Sequence, residues 1–498
     1  ALISACASLP TEFEKTPSYA IRDTGSTYLA GRVGPLVAAH PDQSGFYPMP
    51  QGIEALAARL HLARLAEKGI DLQYFIIAAD LVGDLLIQEL IDAANRGVRV
   101  RILLDDIYTE GYELAFSVLL SNPNIEIRLT NPFVYRDSKA ANVLDLKRVN
   151  HRMHNKSITF DNLVSIVGGR NIAVDYFGAS EHFNYYDFDV FAIGPVVDEV
   201  STEFDTYWNA AESYPATAFV EPDDSSESAQ ERADRFRASR EYAATTEFVD
   251  VLDHEVVDFV LAQDTELLSW ADAKLVYDLP YGEVTAEGLP GEQVLGVILV
   301  EAVKGAASEF VLVSPSFVPR QSGLDGLPAL RDRGVRCIVL TNSLASTDQI
   351  AVYGGYRDYQ IPMLEMGVEV WELMAWPATP LDQPGAPTER RALHAKIYAL
   401  DRERLFVGSF NWDPRSHEIN TEMGVVIYDD DITTKEVERI LATLPGAAWK
   451  LRLNDQGEVE WLDVSGDEEV VYDVEPQTDD SMRRKASLTD IKALEDQL

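Results

Sequence analysis

Cysteine is nearly absent from this chain. Only Cys6 and Cys337 occur among 498 residues, too few for a disulfide framework. Basic residues are scarce relative to acids: 42 Lys and Arg stand against 82 Asp and Glu, a formal net charge of −40. Nucleic-acid binding depends on Lys and Arg neutralising phosphates, so this balance argues against a nucleic-acid partner. The acidity reads as solvated surface, which speaks to solubility and steering rather than to fold. Long apolar runs are missing too. No uninterrupted stretch approaches the roughly 18 residues of a spanning helix, and any membrane contact is expected to be peripheral or through an anchor.

What is present is ordinary globular composition, 46% apolar and 25% charged, in a chain long enough for two domains or a fused duplication. Cys337 lies in the apolar run Val335–Leu340 and reads as a small buried hydrophobe. Cys6 follows Leu2-Ile3-Ser4-Ala5. Small residues before a Cys at the end of an apolar stretch resemble a bacterial lipobox, so the expectation is a protein of the bacterial cell envelope, anchored at Cys6.

An internal repeat organises the rest. Leu72–Ala78 reads as a buried strand, Leu85–Asn95 as a helix, and Arg96-Gly97-Val98-Arg99 leads into a strand through Leu104. Phe310–Ser314, Gly326–Asp332 and Arg333-Gly334-Val335-Arg336 repeat that order. Asn124–Leu129 and Val368–Leu373 then match as strands. Strand–helix–strand order predicts an α/β fold of two pseudo-symmetric halves, each a mostly parallel sheet flanked by helices. The expected organisation is an N-terminal segment over 1–15, a first half over 16–220, an acidic linker over 221–240, a second half over 241–465 and an acidic tail over 466–498. Glu221–Glu231 has no apolar periodicity and reads as exposed loop. The tail reads as partly disordered, with a short helix at Leu488–Leu498.

Each half carries one copy of a motif. His154-Asn155-Lys156 is followed after four residues by Asp161, then by Gly168-Gly169-Arg170-Asn171. His394-Ala395-Lys396 is followed after four residues by Asp401, then by Gly408-Ser409-Phe410-Asn411. A lone His-x-Lys is noise, but two frames of identical spacing at matching places in a repeat are not. Strand side chains alternate faces, so His154 and Lys156 point one way, as do His394 and Lys396. Asp161 and Asp401 fall where each strand turns and, as members of the motif, are expected among the catalytic residues. The glycine pair allows close approach to an anion, and Asn171 and Asn411 would bring amide donors beside it.

Two His, two Lys and two Asn converging on one point suit a phosphodiester. Lys and Asn stabilise developing oxygen charge. One His attacks phosphorus to give a phosphohistidine, and the other serves as general acid and base. No metal and no cofactor is expected, because two lysines repel a cation. Catalytic histidines are commonly oriented by a carboxylate. Repeat alignment matches Asp187 with Glu422, so Asp187 is expected to orient His154 and Glu422 to orient His394, with Asp189 as competitor for the first role. The aromatics Tyr176, Phe177, Phe183, Tyr185 and Tyr186 read as packing around the site, and His151, His182 and His417 as structural.

From about Thr11 to Trp461 the chain resembles the phospholipase D superfamily, and within it the bacterial cardiolipin synthases of the C type. The most specific stretches are His151–Tyr176, Asp189–Val197 and Leu393–Val426. The resemblance implies one active site shared by both halves, with His154 as nucleophile and His394 as acid. It also implies a membrane surface as partner and phospholipid substrates: phosphatidylglycerol as acceptor, with phosphatidylethanolamine or a second phosphatidylglycerol as phosphatidyl donor. The alternatives are hydrolysis to phosphatidic acid and, against the charge, a nuclease.

Overall fold

The computed structural model describes residues 8–245, 256–262, 267–281, 294–378, 381 and 389–488. Cys6 lies outside them. The first half contributes β1 (Ser44–Met49), β2 (Gly69–Tyr74), β3 (Arg99–Asp105), β4 (Ile125–Thr130), β5 (Ser157–Phe160), β6 (Val164–Gly168), β7 (Phe183–Tyr186), β8 (Asp189–Ile193) and β9 (Ser213–Pro215). The second contributes β10 (Ser269–Tyr277), β11 (Glu309–Val313), β12 (Arg336–Asn342), β13 (Glu369–Leu373), β14 (Arg390–Leu393), β15 (Ile397–Leu400), β16 (Arg404–Gly408), β17 (Met423–Tyr428) and β18 (Ala448–Leu453).

Hydrogen bonding orders these strands β9-β4-β3-β2-β5-β6-β8-β1-β10-β17-β16-β15-β11-β12-β13-β18. The order reads the same from either end, with β1 and β10 antiparallel at the junction. The α/β class and the two matching halves are as expected. Within this sheet, however, parallel pairing is confined to β2-β3-β4 and β11-β12-β13, while β7 and β14 form a separate parallel pair. The motif hairpins β5–β6 and β15–β16 return the chain antiparallel, so each sheet is mixed rather than mostly parallel.

Helices cover the outer faces. Leu81–Asn95 begins at Asp80, whose side chain accepts the Gly83 N–H, satisfying one of the orphan donors of the first turn. Between the halves lies a shared apolar core, in which Val167, Phe188 and Val190 are clustered with Ile397, Val407 and Val425, all buried. Each such side chain contributes roughly 1.5–3 kcal/mol, which makes the two halves one folding unit around the site.

The segment expected to be an exposed linker is largely helix, Glu227–Ala243. Its apolar contacts are sparse but regular: Ala229, Phe236 and Ala243 are buried at seven-residue spacing. Arg235 pairs with Asp84 at 2.6 Å and Arg240 with Glu89 at 2.7 Å. A polar helix tied down by ion pairs gives little hydrophobic signal. The acidic tail likewise carries a strand, Val470–Tyr472, and a helix, Asp480–Leu488. The helix expected at Leu488–Leu498 falls almost wholly outside the described residues. Among the described residues no helix is long and apolar enough to cross a membrane.

Candidate active site

Each motif enters the site beside a strand of the other half. The His154 N–H donates to Thr421 O at 2.9 Å, and the His394 N–H to Tyr186 O at 2.7 Å. β14 runs parallel to β7 up to Leu393 and Tyr186, and Met153 bridges Thr421 in the equivalent place. The residues that follow Tyr186 and Thr421 are Asp187 and Glu422, and this crossing sets the chemistry. His154 Nδ1 is 2.8 Å from Glu422 Oε2, and His394 Nδ1 is 2.6 Å from Asp187 Oδ2. Both carboxylates do orient histidines, but each belongs to the opposite half from its partner, the reverse of the pairing expected from the repeat. Asp189 orients neither. It is buried in ion pairs with Arg59 at 2.8 Å and Arg170 at 3.2 Å.

The paired carboxylates differ in length, and the motif compensates. A Cβ at Gly169 would lie 2.2 Å from Asp187 Oδ1. In the other half that position is Ser409, whose hydroxyl donates to Glu422 Oε2 at 2.5 Å. Ser416 donates to Glu422 Oε1 at 2.7 Å, and the Glu422 N–H donates to Asp278 Oδ2 at 3.0 Å. Gly168 also makes room for protein, since its Cβ would meet Asp189 Oδ1 at 2.2 Å. The glycines therefore admit the neighbouring strand and its carboxylates rather than cradle an anion.

Lys156 and Lys396 are both buried, at 1% exposure, and each Nζ donates to the carbonyl of its own histidine. Lys396 Nζ is also 3.0 Å from His394 Nδ1. Burial, opposed by the Glu422 carboxylate, lowers Lys156 well below its usual range, and burial lowers Lys396 to about 8. Burial with the neighbouring lysines lowers His154 well below its ordinary value and His394 to about 4. Burial pushes Glu422 up to about 7. Burial would also raise Asp187, but the charges of His394, Lys396 and Arg170 hold it at about 2. The site thus gathers desolvated cationic groups, and an arriving anion would restore their charged forms.

Aromatic edges close the walls. Phe75 meets the His154 ring edge-on at 5.0 Å, and Tyr176 meets His394 at 4.9 Å. Tyr185 lies 5.2 Å from His394 and donates to Asp348 Oδ2 at 2.8 Å. The amide oxygens of Asn171 and Asn411 are buried with no hydrogen-bond partner, an uncommon condition that calls for an explanation, such as a functional role. His151 hydrogen-bonds Ile419 O, and His417 packs on Phe410 and Trp412. Asp278, Ser409 and Ser416 were not singled out by the sequence reading. Only Ser409 carried a signal, as the position where the two motifs differ.

Asp161 and Asp401 stand apart. Each opens the hairpin turn at the far end of its strand, with itself and the next residue at positive φ: 51° and 53° for Asp161 and Asn162, 57° and 58° for Asp401 and Arg402. Asp161 accepts the N–H groups of Glu67, Lys68 and Gly69. Asp401 accepts those of Ala307, Ser308 and Glu309. These carboxylates hold the approach to β2 and β11. They lie about 20 Å from the histidines along an extended strand and do not join the catalytic cluster. Asp161→Ala leaves three N–H groups without their acceptor and is expected to cost about 3 kcal/mol, measured by denaturant unfolding. Unchanged stability with lost turnover would return Asp161 to the chemistry.

The family model described as cardiolipin synthase, PLD-like domain, matches residues 60–208 and 299–444. Cardiolipin synthase C of Escherichia coli K12 is 37% identical over 90% of this chain and 95% of its own. A cardiolipin synthase of Staphylococcus aureus Mu50 is 24% identical over 75% of this chain and 61% of its own. The crystal structure of phosphatidylserine synthase from Haemophilus influenzae Rd KW20 superposes with a TM-score of 0.55 at 13% identity, covering 84% of this chain and 91% of that one, which is a likeness of fold. With the family model matched in both halves around both motifs, the chain belongs to the phospholipase D superfamily, among its cardiolipin synthase-like members, and is an enzyme.

Proposed function

We propose that this enzyme transfers a phosphatidyl group through a phosphohistidine, joining two phospholipids into cardiolipin. The observation that carries the reading is the pair of histidines, each bonded through Nδ1 to a carboxylate of the other half, with a buried lysine beside each. Nδ1 is thereby occupied, and Nε2 is the nitrogen left for chemistry.

His154 attacks phosphorus with Nε2 as the P–O bond to the leaving headgroup breaks, and His394 delivers its proton to that oxygen. A second lipid hydroxyl then gives its proton to His394 and attacks phosphorus, and the N–P bond breaks to release His154. The asymmetry of the carboxylates supports these roles. Asp187 is held ionised and can stabilise an imidazolium at His394. Glu422 is pushed up to about 7, which suits a neutral nucleophile at His154. Phosphatidylglycerol supplies the accepting hydroxyl, and phosphatidylethanolamine or a second phosphatidylglycerol donates. The reading places the enzyme at a membrane surface, and likeness to cardiolipin synthase C supports it.

With labelled phosphatidylglycerol and phosphatidylethanolamine in vesicles, the expected product is cardiolipin, formed equally well in EDTA because the lysines supply the positive charge. Phosphatidic acid alone would make the enzyme a hydrolase. Rate restored only by a divalent ion would contradict the charge assignment.

The lysine also sets a pH dependence. Lys396, lowered by burial to about 8, loses its proton above that pH, so kcat/KM should fall on the alkaline side near pH 8. Lys396→Arg should shift that limb upward in a pH–rate profile. An alkaline limb unmoved by the arginine would assign it to another group.

A further inference from the structure

The second half contains an apolar cavity of about 270 Å³ between the helices Val294–Lys304 and Arg320–Asp332. Phe310, Val339, Val303, Leu327 and Trp412 are among its apolar walls, and Lys304, Arg320, Ser322, His417 and Glu418 are polar or charged members of the lining. The size is near the lower end of ordinary ligand pockets, about 300 Å³. In the first half the corresponding helices, Gly52–Leu65 and Leu81–Asn95, pack on each other with Leu56, Leu60, Leu86 and Leu90 buried. A smaller apolar cavity, about 40 Å³, lies in the first half beside Leu81–Asn95.

Its position ties it to the catalytic pair. Trp412 directly follows Asn411. The short helix Pro414–Glu418 sends Ser416 to Glu422 and gives Pro414, His417 and Glu418 to the cavity wall. Arg320, in the cavity lining, has a φ of 54° and pairs with Glu418. A bulky residue in the left-handed region is costly and persists where surrounding structure enforces it, often at a ligand site.

We propose that this cavity holds one acyl chain of the phospholipid whose phosphate sits at the histidines. The inference rests on the phospholipid reading above. A mostly apolar lining with a few charged side chains fits a hydrocarbon chain close to its headgroup, and the wall shared with the catalytic loop fits a chain on the reacting lipid rather than a remote one.

The test compares dibutanoyl- and dioctanoyl-phosphatidylglycerol as dispersed monomers with a p-nitrophenyl phosphodiester that has no chain. A Cβ at Gly326, on the cavity wall, meets nothing within 4 Å, so Gly326→Phe adds bulk without a clash at its base. In the wild type, kcat/KM should rise up to about fourfold for each methylene buried. Gly326→Phe should lose more than about tenfold on the octanoyl lipid and keep its diester rate. Val303→Phe, from the facing helix, should behave alike. Chain-length dependence absent in the wild type, or unchanged in both variants, overturns the proposal. So does equal loss by both variants on all substrates, or vesicle binding lost with monomer kinetics intact, which would put a bilayer lipid there instead. A wild type that turns over neither lipid contradicts the phospholipid reading itself.

Discussion

His394→Asn is expected to accumulate a phosphohistidine when given an activated substrate such as a p-nitrophenyl phosphodiester, and His154→Asn is not. The leaving group needs no acid in the first step, so a variant that keeps its nucleophile can form the N–P bond. It then has no base to activate the accepting hydroxyl, and the intermediate persists. Loss of general acid–base catalysis typically costs about 10²–10⁴ in rate, and loss of the nucleophile removes the covalent path altogether. Both variants therefore look inactive in a steady-state assay, and only rapid quench separates them. Acid-labile, base-stable label on the His154→Asn protein would reverse the two roles.

Asp187→Asn is expected to copy His394→Asn, although Asp187 belongs to the half that carries His154. Its Oδ2 is 2.6 Å from His394 Nδ1, and it is ionised where the imidazolium must form. An amide there keeps the shape but cannot stabilise that charge, and the loss should fall within about 10²–10⁴ in kcat. Label should accumulate on the Asp187→Asn protein as it does on His394→Asn. Glu422→Gln should instead slow formation of the label, because Glu422 holds His154. If Asp187→Asn slowed labelling and Glu422→Gln trapped it, the carboxylates would act within their own halves and the cross-over would carry no chemical meaning.

Much of this was legible before the structure. The motif spacing reflects strand alternation followed by a turn, and alternation is a local property that a sequence displays directly. Both His–Lys pairs and both orienting carboxylates could be named. Which carboxylate serves which histidine could not, because a repeat aligns equivalent positions whereas the pseudo-twofold axis brings non-equivalent ones together. Asp161 and Asp401 looked catalytic because they share the motif with the histidines, but their fixed spacing serves the hairpin turn and the N–H groups of the preceding strands. Asp278 and Ser416 reach Glu422 from elements that carry no repeat signal. The helix Glu227–Ala243 was hidden for the same kind of reason, since ion pairs to Asp84 and Glu89 hold it and leave little apolar pattern.

The central claim is that two halves build one site with one nucleophile. Rapid-quench labelling of the wild-type enzyme with a phosphodiester labelled at phosphorus, followed by peptide mapping, tests it most directly. The expected result is one equivalent of acid-labile phosphate per chain, all on the peptide containing His154. Label on the His394 peptide alone would exchange the roles. Label on both peptides at two equivalents per chain would mean two independent sites and would contradict the shared one.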